Sequence, residues 1–406
     1  APGLVRLPVP DLPDHSLQRT TLARARGLRS DSLALRLPFV EGQDWQVYQT
    51  FDGAHTHQGL WRHAVDFYPT PDGRSFLGQG LQLSDYLCYG APVLSPVTGC
   101  VVQVCSELPD NPPGEVHPES RWGNYVLIAV DAHHYVMLAH LQQDSLQVVP
   151  GQAVAPGHPL ARCGNSGRSP QPHLHVHLQS GPQLGAATRP WHFSHVLDSA
   201  QGTLHLDLQP RLGQTLCRPR LDRGLADALH FPVGRQFHYV WRGRTTRLEV
   251  QLDLLGQFWL RSDSGARVAL IESAELLAAF DRQGPADPLL DLWILALGLT
   301  PFYTPGGSWN DRPPASLLGH HRWTPNLQSH YHRDLLSDGQ WLQVGRHGTF
   351  STRATLHPRL GCTQLELHGA RGLMLGAQLH EVGLRADQGI PAWSLRPRAS
   401  AETALA

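Results

Sequence analysis

The sequence contains no lysine, and all 33 of its basic residues are arginine. Because 34 acidic residues balance them, the formal net charge is only −1. A chain so close to neutral has no overall electrostatic attraction to nucleic acid or to an anionic membrane surface. We therefore expect no nucleic-acid partner.

Long apolar runs are also missing. No stretch approaches the roughly 20 consecutive apolar residues that a membrane-spanning helix needs, so no transmembrane segment is predicted. The chain begins with APGLVRLPVP, which has neither an initial methionine nor the basic-then-apolar pattern of a signal sequence. We interpret the sequence as a mature or trimmed form.

Cysteine is scarce and scattered, with six residues and no CxxC pair. This spacing does not predict a zinc–thiolate framework. Cys100 and Cys105 lie on one predicted strand at positions of opposite parity. We therefore expect them to face opposite sides of the sheet and not to form a disulfide.

Histidine, by contrast, is abundant, with 25 residues. Imidazoles ligate metals and transfer protons near neutral pH, but compositional drift accounts for most of them. Three stand at alternate positions in SPQPHLHVHLQS: His173, His175 and His177. Alternate side chains of a β-strand share a face, so this spacing indicates either a metal site or a polar strand face.

Short apolar runs broken by glycine and proline begin near residue 35. Runs such as GNYVLIAV, HHYVMLAHL and HLHVHL are typical of β-strands, and the closely spaced glycines between the last two predict tight turns in an antiparallel sheet. A similar pattern with a different composition resumes after about residue 200. We therefore predict four segments: an N-terminal extension at 1–34 with a short helix at His15–Arg29, a β domain at 35–198, a second β-rich domain at 205–395 and a tail at 396–406.

Three features of the second domain need interpretation. The apolar run PLLDLWILALGL at 288–299 is predicted as a buried helix, although a buried strand has a similar composition. The tyrosine, tryptophan and arginine residues within 237–260 and 293–345 fit a carbohydrate- or peptide-binding surface, whereas the aromatic residues among them also fit a hydrophobic core. The histidine-rich stretch GHHRWTPNLQSHYHRD at 319–334 has no recognisable ligand spacing, and we interpret it as surface histidines in a loop.

Candidate partners for the alternating histidines lie upstream. In GAHTHQGLWRHAVDFYP, His57 is followed two residues later by a glycine that permits a tight turn, and Asp66 lies near the end of a short strand. The two side chains can then meet and ligate a metal together with a histidine of the later strand, since a catalytic zinc has three protein ligands and a fourth position for water. His140 ends the strand YVMLAHL just before a loop, where it suits acid–base catalysis beside the metal. His55 competes with His57 for the ligand role.

Five segments, in this order, resemble the lysostaphin-like (LytM or β-lytic) zinc endopeptidase family: THQGLWRHAVDFYP, APVLSPVTGCVV, VMLAHL, VVPGQAVAPGHPLARCGNSG and QPHLHVHL. The resemblance covers about residues 36–180. It implies an antiparallel β-sheet peptidase domain of the duplicated hybrid motif type, so the fold class expected for the whole chain is mainly β, with the second β-rich domain on its C-terminal side.

The resemblance also implies roles for individual residues. The positions that match functional residues of the family are the zinc ligands His57, Asp66 and His175 and the catalytic histidines His140 and His173. We prefer His57 to His55 because only His57 has the trailing glycine and the usual spacing to the aspartate. His63 is expected to point away from the site, and His177 matches no functional residue and is interpreted as a bystander.

The activity that the resemblance implies is that of a zinc-dependent metalloendopeptidase outside the cytoplasm that hydrolyses peptide cross-links of bacterial peptidoglycan, a zinc-activated water attacking the amide. Two alternatives remain: a zinc protease for Gly-rich proteins, and a non-catalytic cell-wall-binding or regulatory module. Members of the last kind have typically lost zinc ligands, whereas all five positions are filled here. HExxH is absent, which excludes the glutamate-base mechanism of thermolysin-type enzymes. The sequence predicts no oligomeric state.

Overall fold

The computed structural model describes residues 32–70, 73–304, 306–318, 328–384 and 393–395. Contacts divide the chain into two compact units, whose boundary among the described residues lies between Pro219 and Arg220. The predicted helix at His15–Arg29 and the predicted tail at 396–406 lie outside the described residues. In the described part of the chain, no helix has the length and apolar character needed to cross a membrane.

The described residues of the first unit form short strands and the single-turn 3₁₀ helices Gly59–Trp61 and Leu83–Asp85. The strands described in this unit are β1 (Leu33–Leu35), β2 (Asp44–Gln49), β3 (Ala64–Tyr68), β4 (Pro92–Leu94), β5 (Gly99–Cys105), β6 (Asn124–Ala129), β7 (Tyr135–Leu141), β8 (Ala153–Val154), β9 (Pro159–Arg162), β10 (Leu174–Gln179), β11 (Trp191–Phe193), β12 (Val196–Asp198), β13 (Thr203–His205) and β14 (Thr215–Cys217).

Most of these strands join one antiparallel sheet in the order β8-β5-β6-β7-β10-β3-β2-β14-β12-β13. Strand β4 pairs with β9, and β1 pairs in parallel with β11. The strand with the alternating histidines, β10, lies inside the large sheet between β3 and β7. Its apolar residues Leu174, Val176 and Leu178 are buried in the core of the unit, so its polar residues project from the opposite face.

Residues 205–219 belong to the first unit, although the change of composition near residue 200 predicted a second domain from residue 205. The reason is strand pairing: β14 lies between β2 and β12, and β13 pairs with β12. These pairings join segments that are distant in sequence, and a local change of composition does not reveal them.

The two cysteines of β5 lie on the same face, so the parity prediction was wrong. Cys100 pairs with Ala129 and Cys105 with Tyr125, and these two partners share one face of β6. A register shift between Val101 and Gln103 inserts an extra residue into the strand, and such a bulge inverts the alternation beyond it. All six cysteines are free in the structure.

The second unit is a long antiparallel array. The helices described in it are Arg223–Ala228, Pro288–Leu297 and Ala315–Leu318, and the strands are β15 (Arg235–Trp241), β16 (Arg244–Leu252), β17 (Phe258–Ser262), β18 (Arg267–Glu272), β19 (Leu276–Gln283), β20 (Leu299–Pro301), β21 (Ser308–Asp311), β22 (Ser329–Leu335), β23 (Trp341–His347), β24 (Phe350–His357), β25 (Gly361–Gly369), β26 (Gly372–Leu384) and β27 (Trp393–Leu395). The strand order is β20-β19-β18-β17-β16-β15-β26-β25-β24-β23-β22-β21, and β27 pairs with β26.

The predicted buried helix is confirmed at Pro288–Leu297. The Asp287 side chain accepts hydrogen bonds from the backbone N–H groups of Leu289 and Leu290, and Pro288 occupies the first turn, where its missing N–H costs nothing. The helix packs against β19 and β23–β25. Its one charged residue, Asp291, is buried and pairs with Arg282 at 2.9 Å.

Aromatic side chains of the second unit are mostly core residues. Those buried within the two aromatic segments considered above are Tyr239, Trp259, Trp293, Tyr303, Trp309, Tyr331 and Trp341. Of the alternatives left open by the sequence, the core interpretation therefore holds for these residues. With 46% strand and 7% helix, the chain is mainly β, as predicted.

The loop at 164–167 in the first unit depends on close backbone contact between two glycines. Gly123 and Gly167 have φ values of +60° and +78°. A β-carbon on Gly167 would lie 2.3 Å from the Gly123 nitrogen, and one on Gly123 would lie 2.3 Å from the Ser166 carbonyl oxygen. Only glycine permits this approach. The loop also holds His140, whose Nδ1 donates to the carbonyl of Ser166.

We predict that Gly167→Ala lowers the thermal stability of the protein more than Gly213→Ala does. Gly213 has nearly the same φ, +79°, but a β-carbon added there would meet no neighbouring atom within 4 Å. Gly213→Ala should therefore cost only the left-handed backbone strain, about 1–2 kcal/mol. Gly167→Ala should add about 1–3 kcal/mol for the forced backbone shift. Differential scanning calorimetry tests this, and equal losses would contradict the close-contact argument.

Candidate metal centre

The interior of the large sheet brings a carboxylate and an imidazole together. Strand β10 pairs with β3 so that His175 lies opposite Asp66. Residues directly opposite each other in an antiparallel pair project from the same face. The Nδ1 atom of His175 lies 2.7 Å from Oδ1 of Asp66, and both side chains are buried. The register of the two strands thus creates this contact.

His57 reaches the same carboxylate from the loop before β3. Its Nε2 atom lies 3.2 Å from Oδ2 of Asp66. The backbone of His57 is in the left-handed region with a φ of +54°, and Gly59 follows at +59°. The left-handed region is uncommon for residues other than glycine. The turn expected from the trailing glycine is therefore present, and it directs the buried imidazole toward β3.

These three residues form a compact donor set. One nitrogen of His57, one nitrogen of His175 and one carboxylate oxygen of Asp66 all lie within 4.8 Å of one another. In the residues that the structure describes, no other group of three or more histidine, cysteine, aspartate or glutamate side chains is placed to hold a metal ion. Two imidazoles and one carboxylate suit zinc with a fourth position left for water.

His57 and His175 each make a second hydrogen bond on the side of the ring that faces away from Asp66. In the neutral rings, the nitrogen that faces Asp66 then carries no hydrogen. The Nδ1 atom of His57 lies 3.2 Å from the carbonyl oxygen of Thr50, which can only accept, so a neutral ring has its lone pair on Nε2. His175 Nε2 lies 2.9 Å from His177 Nδ1, and when it donates there, its own Nδ1 is bare. Lone pairs then face a carboxylate, an arrangement that requires protons or a cation between them. The residues fit a bound zinc ion.

The neighbouring histidines keep the buried Asp66 carboxyl ionised. Burial by itself raises the pKa of the Asp66 carboxyl. Attraction to the protonated forms of His173 and His175, and the hydrogen bonds that protonated His175 and His57 donate to the carboxylate, hold this pKa well below its usual value. Burial likewise lowers the pKa of His57, but the hydrogen bond and the charge of Asp66 outweigh it, so that this pKa is raised. Asp66 is therefore ionised at neutral pH and available to a cation.

His140 lies beside this donor set near the end of β7, with a φ of +60°. Its Nδ1 donates to the Ser166 carbonyl at 2.9 Å, which leaves Nε2 bare in the neutral ring. The ring centroid lies 4.7 Å from that of His173 and 5.8 Å from that of His175. Burial and the repulsion of these two histidines hold the pKa of His140 well below its usual value. The ring is therefore a neutral proton acceptor.

His173 directly precedes β10 and borders the same carboxylate. Its Nδ1 lies 2.9 Å from the carbonyl oxygen of Gln171, to which it donates. Its Nε2 lies 3.8 Å from Oδ2 of Asp66. The structure thus brings together all five residues for which the sequence predicted a role, three as potential ligands and two as neighbouring histidines.

His177, interpreted from the sequence as a bystander, lies in contact with two polar side chains of the same strand. It is fully buried and touches His175 through its Nδ1 and Gln179 through its Nε2. The Trp122 ring also packs on this group, 5.4 Å from the ring of His175 and 5.1 Å from that of His177. The alternation of polar residues continues through Gln179, which is a signal available in the sequence. No local pattern pointed to Trp122.

The remaining histidines considered from the sequence lie away from the donor set. His55 is exposed, whereas His57 is buried in it. His63 contacts the Thr188 carbonyl and the Phe51 ring. In the described part of the histidine-rich stretch, His330 bonds with Asn310 and His332 pairs with Asp334. Residues 319–327 of that stretch lie outside the described residues.

The solved structures to which part of the chain is similar include three bacterial proteins. A mutant of the catalytic domain of the prophage-encoded M23 protein EnpA from Enterococcus faecalis is 16% identical, with 38% of this chain and 94% of that chain covered and a TM-score of 0.25. The catalytic domain of lysostaphin from Staphylococcus simulans is 19% identical, with 37% and 88% covered and a TM-score of 0.22. A zinc-containing peptidase from Vibrio cholerae is 25% identical, with 36% and 37% covered and a TM-score of 0.24. No curated protein sequence matches the chain.

The family assignment rests on sequence, because these TM-scores are low. Residues 80–186 match the family model described as Peptidase family M23. The matched range includes His140, His173 and His175 and begins after His57 and Asp66. It confirms the family resemblance and contains four of the five sequence segments, the first segment at 56–69 lying before it. The chain therefore contains a Peptidase family M23 domain at residues 80–186.

Proposed function

We propose that the first unit is a zinc-dependent endopeptidase that hydrolyses peptide cross-links of bacterial peptidoglycan. The observation that carries the proposal is the convergence of two imidazoles on the buried, ionised carboxylate of Asp66, with two further histidines beside it. The Peptidase family M23 match in the same unit supports it. Because peptidoglycan lies outside the cytoplasm, the proposal includes an extracytoplasmic location.

In this proposal zinc is held by His57 through Nε2, by His175 through Nδ1 and by the carboxylate of Asp66. When bound, zinc supplies Lewis acidity, which polarises a scissile carbonyl and lowers the pKa of water toward neutrality. The carboxylate reduces the net charge of the centre from +2 to +1, which moderates this effect compared with a site built from neutral ligands.

The proton transfers are assigned to His140 and His173. Each donates from Nδ1 to a backbone carbonyl, so each has a bare Nε2 in the neutral form. Either ring can take the proton of the attacking water at Nε2 and deliver it to the leaving amine. The imidazolium formed in between stabilises negative charge on the oxygen of the scissile carbonyl. The backbone acceptors keep both rings oriented throughout.

The two other candidate functions have less support. A zinc protease for Gly-rich proteins would use the same centre, and only its substrates distinguish it. A non-catalytic cell-wall-binding module needs neither an intact donor set nor His140 held by the loop at 164–167, and both are present. No observation in the second unit favours either alternative.

We predict that the purified protein binds a single zinc ion and that Asp66→Ala abolishes this binding, because the substitution removes the charged donor at the middle of the group. His55→Ala is the matched control, since His55 is exposed and lies two residues from a proposed ligand. Zinc content after dialysis against a weak chelator gives the measurement. Full zinc content in the Asp66→Ala protein, or its loss in the His55→Ala protein, would contradict the ligand assignment.

His140→Ala is expected to retain zinc and to lose about 10²–10⁴-fold in the rate of peptide-bond hydrolysis, the usual contribution of an acid–base group. Purified peptidoglycan and pentaglycine are the substrates, each with and without chelator, and mass spectrometry of the fragments identifies the bond cut. His133→Ala, an exposed histidine before the same strand, is the control. Equal rates for wild type and His140→Ala would refute the mechanism, and cleavage of Gly-rich proteins but not of peptidoglycan would refute the substrate.

A further inference from the structure

A line of hydrogen bonds continues along β10 beyond the proposed ligands. His175 Nε2 lies 2.9 Å from His177 Nδ1, and His177 Nε2 lies 3.1 Å from Oε1 of Gln179. The Gln179 amide nitrogen donates to the carbonyls of Gly181 at 2.6 Å and Gln183 at 2.9 Å. His177 and Gln179 are completely buried. Solvent water therefore does not reach the contact between His177 and Gln179.

The donor and acceptor of each hydrogen bond in this line follow from the contacts of Gln179 at its end. Because the Gln179 amide nitrogen is used by two backbone carbonyls, its oxygen faces His177, and an amide oxygen can only accept. His177 must then donate from Nε2, which leaves its Nδ1 as an acceptor in the neutral ring. His175 must therefore donate from Nε2 and expose a bare Nδ1.

We propose that His177 is a positioning residue that sets the tautomer and ring orientation of the metal ligand His175. The inference rests on the proposed function, since that proposal assigns His175 Nδ1 to zinc. It differs from the sequence interpretation, in which His177 was a bystander. Metal-bound histidines commonly donate their second ring N–H to a fixed acceptor, and loss of that acceptor typically weakens metal binding about 10- to 100-fold.

Packing supports the same role. The Trp122 ring lies against both imidazoles, with centroids 5.4 Å from His175 and 5.1 Å from His177. On the strand, Val176 between them is buried in the core of the unit. Neither ring can turn to another partner without displacing a buried neighbour. The hydrogen bond therefore acts on a ring that is already confined, and it determines which of the two ring nitrogens carries the proton.

The test compares two substitutions of His177. His177→Phe keeps a planar ring against Trp122 and removes the acceptor, whereas His177→Asn places an amide oxygen near the original Nδ1 position. Zinc affinity is measured by competition with a chromophoric chelator, and the site is also loaded with Co²⁺ for its ligand-field absorption spectrum. His63→Phe, a histidine of the same unit that bonds to a backbone carbonyl, is the control.

We expect His177→Phe to bind zinc about 10- to 100-fold more weakly and to alter the Co²⁺ spectrum. His177→Asn should restore most of the affinity and the spectrum, while His63→Phe should change neither. If His177→Phe does not fold, His177→Leu takes its place. Wild-type affinity and spectrum in the variant without an acceptor would overturn the positioning role and leave the proposed function intact. Failure of the wild-type protein to bind zinc would overturn both.

Discussion

The pairing of β10 with β3 is the constraint on which the proposed chemistry of the first unit depends. It places His175 opposite Asp66, and the same strand pairs with β7 on its other side. A shift of one residue would turn the histidines into the core and the apolar side chains onto the polar face. Leu174, Val176 and Leu178 oppose such a shift because they are fully buried. The hydrophobic core thus fixes the relative position of the donor atoms.

Burial of a carboxylate has a cost that the surrounding imidazoles must offset. Asp66 is only 3% exposed, and an isolated ionised carboxylate at such a depth would be strongly unfavourable. Its neighbours His57, His173 and His175 all approach within 3.8 Å. Yet in their neutral forms His57 and His175 each donate their single ring proton to a group other than Asp66, namely the Thr50 carbonyl and His177. The folded chain therefore holds an arrangement that a divalent cation stabilises better than the neutral side chains do alone.

Local patterns predicted the mainly β class and the helix at Pro288–Leu297, because each depends on residues close in sequence. The residues of the donor set could also be predicted, because the family resemblance supplied the spacing between distant segments. Their role as metal ligands stays a prediction. The pairing of strands that are distant in sequence could not be predicted. The bulge at Val101–Gln103 and the pairing of β14 with β2 follow from packing across the sheet, and no alternation of residue types indicates them. The same limit hid the contact of Trp122 with His177.

The role of each histidine follows from the partner of its second nitrogen. His57 lies in a loop, His140 near the end of a strand and His173 just before a strand. Each donates from Nδ1 to a backbone carbonyl that the sheet leaves available. His175 lies within β10, between two paired strands whose ladders occupy the neighbouring carbonyls. Its outer partner must therefore be a side chain on the same face, and the adjacent positions on that face are 173 and 177. The ring of His173 is already oriented by the Gln171 carbonyl, so His177 is the residue that can accept the second ring proton of His175. A metal ligand on an interior strand therefore needs a side-chain acceptor two residues away.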